Sequence, residues 1–311
     1  MLPQVNFSEL NLSKLHSPSW ALARTEMIRA LESYGSFEAI YDQVSLETRE
    51  GLLGRAIPEL FSKKVVEERV NLTQLPYHGF WMYKKGFPFL SLQLADLSSL
   101  TAVEKFTSTI WPQGNSYFSN TVWNYAVQMQ ELIQMIHRMI LEGLGLDYLY
   151  DTFIESVTYS MRLSKYHDDN STHKTDVALP SHKDPNCLSI IGQHKLDGLE
   201  VERSNGEWIH VSPLPNSFTV LLGEVLMAWS NGRFRAATHR VKMDVSEERY
   251  SAVYSTFPCQ TFDIINSSME LIDEDHPSLY KSFNYYDYLK FRFSNEGDKH
   301  EDTLKAYCGV H

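Results

Sequence analysis

The sequence predicts an α+β protein with a mainly β core: a β-sandwich or jelly-roll barrel, preceded by helices and closed by a helical tail. Three observations carry this. Stretches before residue 150 repeat apolar residues at steps of three and four, the period of a helix face. From Ser156 onward the texture changes to short apolar runs split by turn residues, which is the signature of many short strands. The tail, "SLYKSFNYYDYLKFRFSNEGDKHEDTLKAYCGVH", returns to a helical pattern. The expected organisation is a mainly helical region 1–150, a β core 151–265 and a helical cap 266–311, together one compact unit.

In chain order, "SPSWALARTEMIRALESYG" predicts a helix with Ser19 as N-cap, an apolar stripe through Ala23, Met27, Leu31 and Tyr34, and Gly35 as its stop. "SLETREGLLGRAIPELFSKK" places Leu53, Ile57 and Leu60 on one face, with Pro58 expected to kink or delay the helix. The clearest helix is "SNTVWNYAVQMQELIQMIHRMILEGLG". Its stripe runs through Val122, Ala126, Met129, Ile133, Ile136 and Ile140, and Gly143 and Gly145 end it. The stripe reads as core packed on a sheet, and His137 within it as structural. The strands expected next are "SVTYSMRLSKY", "CLSIIGQ", "LEVER", "EWIHV", "SFTVLLG", "VLMAWS", "HRVKM" and "RYSAVYSTF". Asn205-Gly206 in "SNGE" is the strongest short hairpin signal, and "SNGR" from Ser230 is a second. "HDDNSTHKTDVALP" is a polar loop, and no internal repeat is visible.

The 311 residues suffice for a large buried core. Acidic residues outnumber basic ones, 39 against 28, for a net charge of −11. That balance argues against a nucleic-acid backbone or an anionic membrane as partner. Cys187, Cys259 and Cys308 show no paired spacing and suit a reducing compartment. The first residues lack a signal-peptide core and no apolar run approaches spanning length, so the expectation is a cytoplasmic, soluble protein.

Chemistry concentrates in "ALPSHKDPN". His182 and Asp184 are two apart, so in a strand both side chains reach one point while Lys183 turns away. His-x-Asp also occurs at His167 and at His300, but His167 begins the polar loop and His300 lies in a charged tail. A third ligand is offered by His239 at the start of a strand; His194 sits in a turn and His210 has no special neighbour. Ten positions after His239, Arg249 and Ser251 share one strand face. A guanidinium on an interior strand needs an anionic partner, and arginine grips a carboxylate through two hydrogen bonds. Two histidines and a carboxylate with open positions form the facial triad of non-haem ferrous oxygenases. The same donors suit zinc, although no HExxH-like pattern supplies the base a zinc hydrolase needs.

At these residues the chain resembles the plant iron(II)/2-oxoglutarate-dependent dioxygenases over nearly its whole length. "RLSKYH" matches the family's strand ending in tyrosine, "QHKLDGLEV" its glycine-leucine strand, and "WSNGRFRAATHRVKMDVSEERYSAVYSTFP" its closing series. "ALESYGSFEAIYD" looks like the family's helix-then-strand opening. "ESYGSFEAIYD", "WPQGN", "SHKD" and "MAWSNGR" are most similar to the branch holding alkenyl-glucosinolate-forming dioxygenases and deoxypodophyllotoxin synthase. The resemblance implies a double-stranded β-helix (jelly roll) flanked by N-terminal and C-terminal helices. It makes His182, Asp184 and His239 the iron(II) ligands, Arg249 and Ser251 the holders of the distal carboxylate of 2-oxoglutarate, and Tyr166 a further donor to it. No catalytic residue beyond the metal ligands is expected. The departures are His167 for the usual proline, Lys183 for threonine, Glu224 for aspartate after Gly223, and Ala236 for serine. Retention of Asp184 favours oxygen chemistry over halogenation. The implied reaction oxidises a plant specialised metabolite by hydroxylation, ring closure, demethylation or desaturation, consuming O2, releasing succinate and CO2, and using ascorbate as reductant.

The substrate is expected to be bulky and largely apolar. Phe257, Trp81 and Tyr83 are the candidates to line its pocket, within an aromatic group that also holds Tyr77, Phe80, Phe87 and Phe89. A monomer is expected. Two other readings remain open at this point: a ferrous oxidase that uses no 2-oxoglutarate, with Arg249 holding the substrate's own carboxylate, and a non-catalytic small-molecule binding protein.

Overall fold

A computed structural model describes residues 1–62, 79–82, 88–167, 176–243 and 247–310. The first helix, α1 (Pro18–Tyr34), buries Ala23, Met27 and Leu31 and stops at Gly35, whose φ of 65° is left-handed. Its N-cap is Ser17, not Ser19: the Ser17 side chain accepts from the Trp20 amide, and Pro18 takes the first helical position, where a missing N–H costs nothing. Next come α2 (Leu46–Glu50) and α3 (Ile57–Phe61), joined by a π-helical turn over Gly51–Ala56. The wider turn lies just before Pro58, so the helical path continues instead of breaking. α4 (Leu100–Ile110) lies between segments singled out in the sequence, and α5 (Ser116–Leu144) is the long helix. All six residues of the α5 stripe are buried, and Gly145 ends it at φ 72°. Gly143 does not stop the helix; it lies inside it, where a Cβ would collide with Ile28 of α1. After α6 (Tyr150–Glu155) the β core begins.

Strands β1 (Gln4–Asn6), β2 (Ser36–Ile40), β3 (Phe80–Met82), β4 (Leu90–Leu94), β5 (Val157–Tyr166), β7 (Leu188–Gln193), β10 (Ser217–Leu222) and β12 (Arg249–Pro258) form the main sheet, in the order β1-β2-β10-β7-β12-β5-β4-β3. Strands β6 (Val177–His182), β8 (Leu199–Glu202), β9 (Trp208–His210) and β11 (His239–Lys242) form a second sheet, ordered β6-β11-β8-β9. The region before residue 150, expected to be mainly helical with a strand after its first helix, supplies four strands of the main sheet. These strands are three to five residues long, too short for local periodicity to reveal.

"VLMAWS" was expected as a strand and is the helix α7 (Glu224–Trp229); six residues are too few for periodicity to distinguish the two. "SNGR" is correspondingly not a hairpin. Asn231 (φ 49°) and Gly232 (φ 73°) end α7, using the same left-handed conformation that an Asn-Gly hairpin needs. "SNGE" does join β8 to β9. The tail holds the short pair β13 (Ile264–Ile265) and β14 (Phe283–Asn284), then α8 (Tyr285–Arg292) and α9 (Thr303–Cys308). No helix among the described residues is long and apolar enough to cross a membrane.

Candidate metal and carboxylate site

Alternate residues of the central strands face one cavity between the sheets. Ser160, Arg162, Ser164 and Tyr166 of β5 line it, as do Arg249, Val253, Ser255 and Phe257 of β12. Residues in between, such as Thr256, face the other way and meet α5: His137 Nε2 lies 3.0 Å from Thr256 Oγ1. Full burial pushes the His137 pKa down to about 3, so this imidazole is neutral and structural, as the sequence implied.

The second sheet supplies the opposite wall. β6 ends at His182 and β11 begins at His239, and these two are register partners, with ring centroids 4.2 Å apart. Asp184 lies just beyond the strand end rather than inside it. One donor atom from each of His182, Asp184 and His239 falls within 4.8 Å of the others. Asp184 Oδ1 is 3.7 Å from His182 Nε2 and 3.9 Å from His239 Nε2. His182 Nδ1 donates to the Pro180 carbonyl (2.9 Å) and His239 Nδ1 to the Ala237 carbonyl (3.1 Å). Each ring is thereby turned so that Nε2 presents a lone pair to the common point, the usual outer support of a metal-binding histidine. Burial, followed by the neighbouring His239, lowers the His182 pKa. Burial alone would raise that of Asp184, but the two imidazoles and the Ser189 hydroxyl outweigh it and lower it. Ser189 Oγ donates to Asp184 Oδ2 at 2.6 Å and accepts from Asn186 Nδ2 at 2.7 Å.

Across the cavity sits Arg249, 1% exposed. Its Nη2 donates to Gln193 Oε1 (2.6 Å) and its Nε to the Leu196 carbonyl (3.3 Å), while its carbon lies 4.5 Å from the centre of the Tyr166 ring. Among the described residues, Nη1 is buried with no hydrogen-bond partner. Gly198, at φ 145°, makes room for this side chain, since a Cβ there would stand 3.3 Å from Arg249 Nε. Ser251, two residues along β12, has its hydroxyl 3.2 Å from that of Tyr166.

Phe257 lines the cavity. Trp81 borders a separate outer groove that shares His182 and Asp184 with the cavity; Tyr83, Tyr77 and Phe87 lie outside the described residues. Phe80 packs into the main core, and Phe89 lines the cavity at 4.9 Å from the Tyr166 ring. His300, set aside as a ligand, reaches the outer groove but not the triad. His167 follows β5 outside the triad, His194 and His210 pair with Glu50 and Asp197, and Lys183 points to Asp302. Sequence reasoning missed Gln193, Ser189 and Arg162. The available signal was polar residues at alternate positions of otherwise apolar strands.

The donor set suits a ferrous ion: two imidazole nitrogens and one carboxylate on one side, the remaining positions free. The buried, unpaired Nη1 suits the carboxylate of a co-substrate. A family model described as the 2OG-Fe(II) oxygenase superfamily matches residues 157–258. "Probable 2-oxoglutarate-dependent dioxygenase AOP1.2" of Arabidopsis thaliana is 35% identical over 312 residues, covering 99% of this chain and 95% of that one. The dioxygenase for auxin oxidation of rice shares the fold at a TM-score of 0.80 and 24% identity, with 100% of both chains covered. The Arabidopsis thaliana counterpart, solved with 2-oxoglutarate, gives a TM-score of 0.76 at 25% identity, covering 89% of this chain and 100% of that one. The jelly-roll core, the clustered triad and a full-length relative at 35% identity agree: the chain belongs to the plant iron(II)/2-oxoglutarate-dependent dioxygenases, near their AOP branch.

Proposed function

We propose that His182, Asp184 and His239 hold the ferrous ion and that Arg249 anchors the distal carboxylate of 2-oxoglutarate, with Ser251 and Tyr166 as neighbouring donors. The observation that carries this is the Arg249 fork, which has one nitrogen satisfied by Gln193 and the other buried without a partner. A buried cationic donor left unmatched is costly, and a carboxylate bound there removes the cost. The bound iron supplies the redox chemistry with oxygen; succinate and CO2 are the co-products. The chain's own work is to position and to keep water out. The two rings are held at Nδ1, Asp184 is held by Ser189, and Phe89, Leu179, Ile191, Val241 and Phe257 wall the cavity.

The substrate is a plant specialised metabolite, bulky and largely apolar, facing Phe257 inside and Trp81 at the outer groove. Arg162 and Gln93, hydrogen-bonded to each other at 3.0 Å, give the cavity wall a polar patch among its apolar residues. The reading extends to a monomer assisted by ascorbate and to a reducing, cytoplasmic compartment, the last in keeping with three free cysteines.

The test is Arg249→Gln. Loss of a charge-assisted hydrogen bond costs about 1.5–3 kcal/mol, so KM for 2-oxoglutarate should rise roughly 10- to 100-fold. Ser251→Ala should cost about 1 kcal/mol. Metal affinity and KM for the organic substrate should stay near wild type. A KM rise confined to the organic substrate would instead make Arg249 its anchor and favour an oxidase without 2-oxoglutarate.

A further inference from the structure

The segment between the first two triad residues and β7 is held from outside at four carbonyls. The Glu224 amide donates to the Asp184 carbonyl (2.8 Å), the Val225 amide to Asn186 (3.0 Å) and the Gly223 amide to Cys187 (2.9 Å). These three come from the backbone at the start of α7. The fourth is a side chain from the C-terminal cap: Arg292 Nη2 donates to the Lys183 carbonyl at 2.5 Å. Arg292 is itself fixed. Its Nη1 reaches Glu224 Oε2 at 2.7 Å and the Tyr288 hydroxyl at 3.0 Å, and Tyr288 also donates to Glu224 Oε2. Glu224 is 2% exposed, so this pair is screened from water. One residue therefore holds the loop twice: by its amide at Asp184, and by its carboxylate, which aims Arg292 at Lys183.

Lys183 is the only residue between His182 and Asp184, so the orientation of its carbonyl sets the angle between two donor side chains. Resting on the metal reading above, we infer that Arg292, set by Glu224 and Tyr288, is a positioning residue for the metal loop, through which the C-terminal cap governs how tightly the triad binds a divalent ion. Glu224, one methylene longer than the aspartate common at this place in the family, gives the carboxylate the reach to meet a guanidinium on α8.

The readout is Mn(II) binding to the metal-free full-length enzyme by calorimetry, without 2-oxoglutarate. Arg292→Lys keeps the charge beside Glu224 but has no fork to reach the Lys183 carbonyl as well. Its thermal midpoint should therefore stay near wild type while Mn(II) affinity falls roughly 10- to 100-fold, the usual effect of losing an outer support of a metal site. Arg292→Met combined with Glu224→Gln leaves no buried charge unpaired and should weaken Mn(II) to the same extent. Arg138→Met, which breaks an ion pair with Glu142 on α5, should leave Mn(II) binding unchanged. Wild-type affinity in both Arg292 variants overturns the inference. So does a loss that vanishes when binding is measured well below each variant's melting temperature, because that marks a weakened fold rather than a misplaced loop. His182→Ala separates the two levels. If it binds Mn(II) like wild type, the metal reading fails; if it loses binding while the Arg292 variants keep it, only the positioning role fails.

Discussion

The two halves of the site are held by different means. Arg249 and Ser251 lie on β12, a strand bonded along its length to β5 and from Ser251 to Thr256 to β7. Their places follow from ladder register, and a slip of one residue would turn the whole inner face outward. His182, Asp184 and His239 lie where strands begin or end, on a sheet whose β6–β11 pairing has register shifts, and their segment is pinned by amides and by Arg292. The end proposed for the co-substrate is thus built by repetition and the end proposed for the metal by individual ties. A sheet interior tolerates little adjustment, whereas a tethered loop can be tuned one tie at a time.

The largest expected effect lies at the metal end. Asp184→Ala and His182→Ala should each abolish turnover and Mn(II) binding while the far-UV circular dichroism stays that of the wild type, because neither side chain supports a ladder. Loss of β structure in either would show that the ends are not separately held. Gln193→Glu probes the other end. It places a carboxylate beside Arg249 that competes with 2-oxoglutarate, so KM for the co-substrate should rise about tenfold, with Mn(II) affinity unchanged. Equal changes in both quantities would erase the distinction.

A smaller effect tests whether the back of the main sheet is dry. The folded pKa of His137, about 3, lies below its ordinary 6.5, so below pH 6.5 only the unfolded chain takes up this proton. Stability should fall with decreasing pH in that window by about 1.4 kcal/mol per unit from this group. His137→Phe, compared with wild type in urea melts of metal-free protein at pH 6 and pH 5, should show a slope shallower by that amount. Identical slopes would mean that the imidazole reaches water. The smallest effect belongs to Lys183→Thr. The side chain makes a part-exposed 3.4 Å pair with Asp302, worth about 0–1 kcal/mol, so activity and metal affinity should barely move. A large loss of metal affinity would mean that the Lys183 side chain, and not its carbonyl, sets the loop.

The contrast also explains what was legible in the sequence. Arg249 and Ser251 could be placed by a period of two, because a strand interior obeys it. The His182–Asp184 pairing was found by the same rule although Asp184 lies past the strand, and the two donor atoms still meet. The ties were not legible. Gln193, Glu224 and Arg292 act across long stretches of chain, and nothing local marks a glutamine as the partner of an arginine on another strand. "VLMAWS" and "SNGR" were misread together: once a short helix is taken for a strand, the Asn-Gly that ends it becomes a hairpin. The edge strands β1 and β3 and their short neighbour β4 escaped because runs of three to five residues carry too little periodicity, whereas β2 matches the strand of the helix-then-strand opening.

The strand order of the main sheet has a consequence in time. β2 is complete by Ile40, yet its antiparallel neighbour β10 begins at Ser217, and β12, which joins the β5 side of the sheet to the β7 side, begins at Arg249. A chain emerging from the ribosome therefore carries β2 without its neighbour through most of its synthesis, and β4 and β5 cannot be linked to β7 until the last fifth is made. Pairing across such separations is slow, and an open edge waiting for it is a template for wrong partners. The strand that carries Arg249 is the one that closes the sheet, so the co-substrate end of the site comes into being in the same event as the fold.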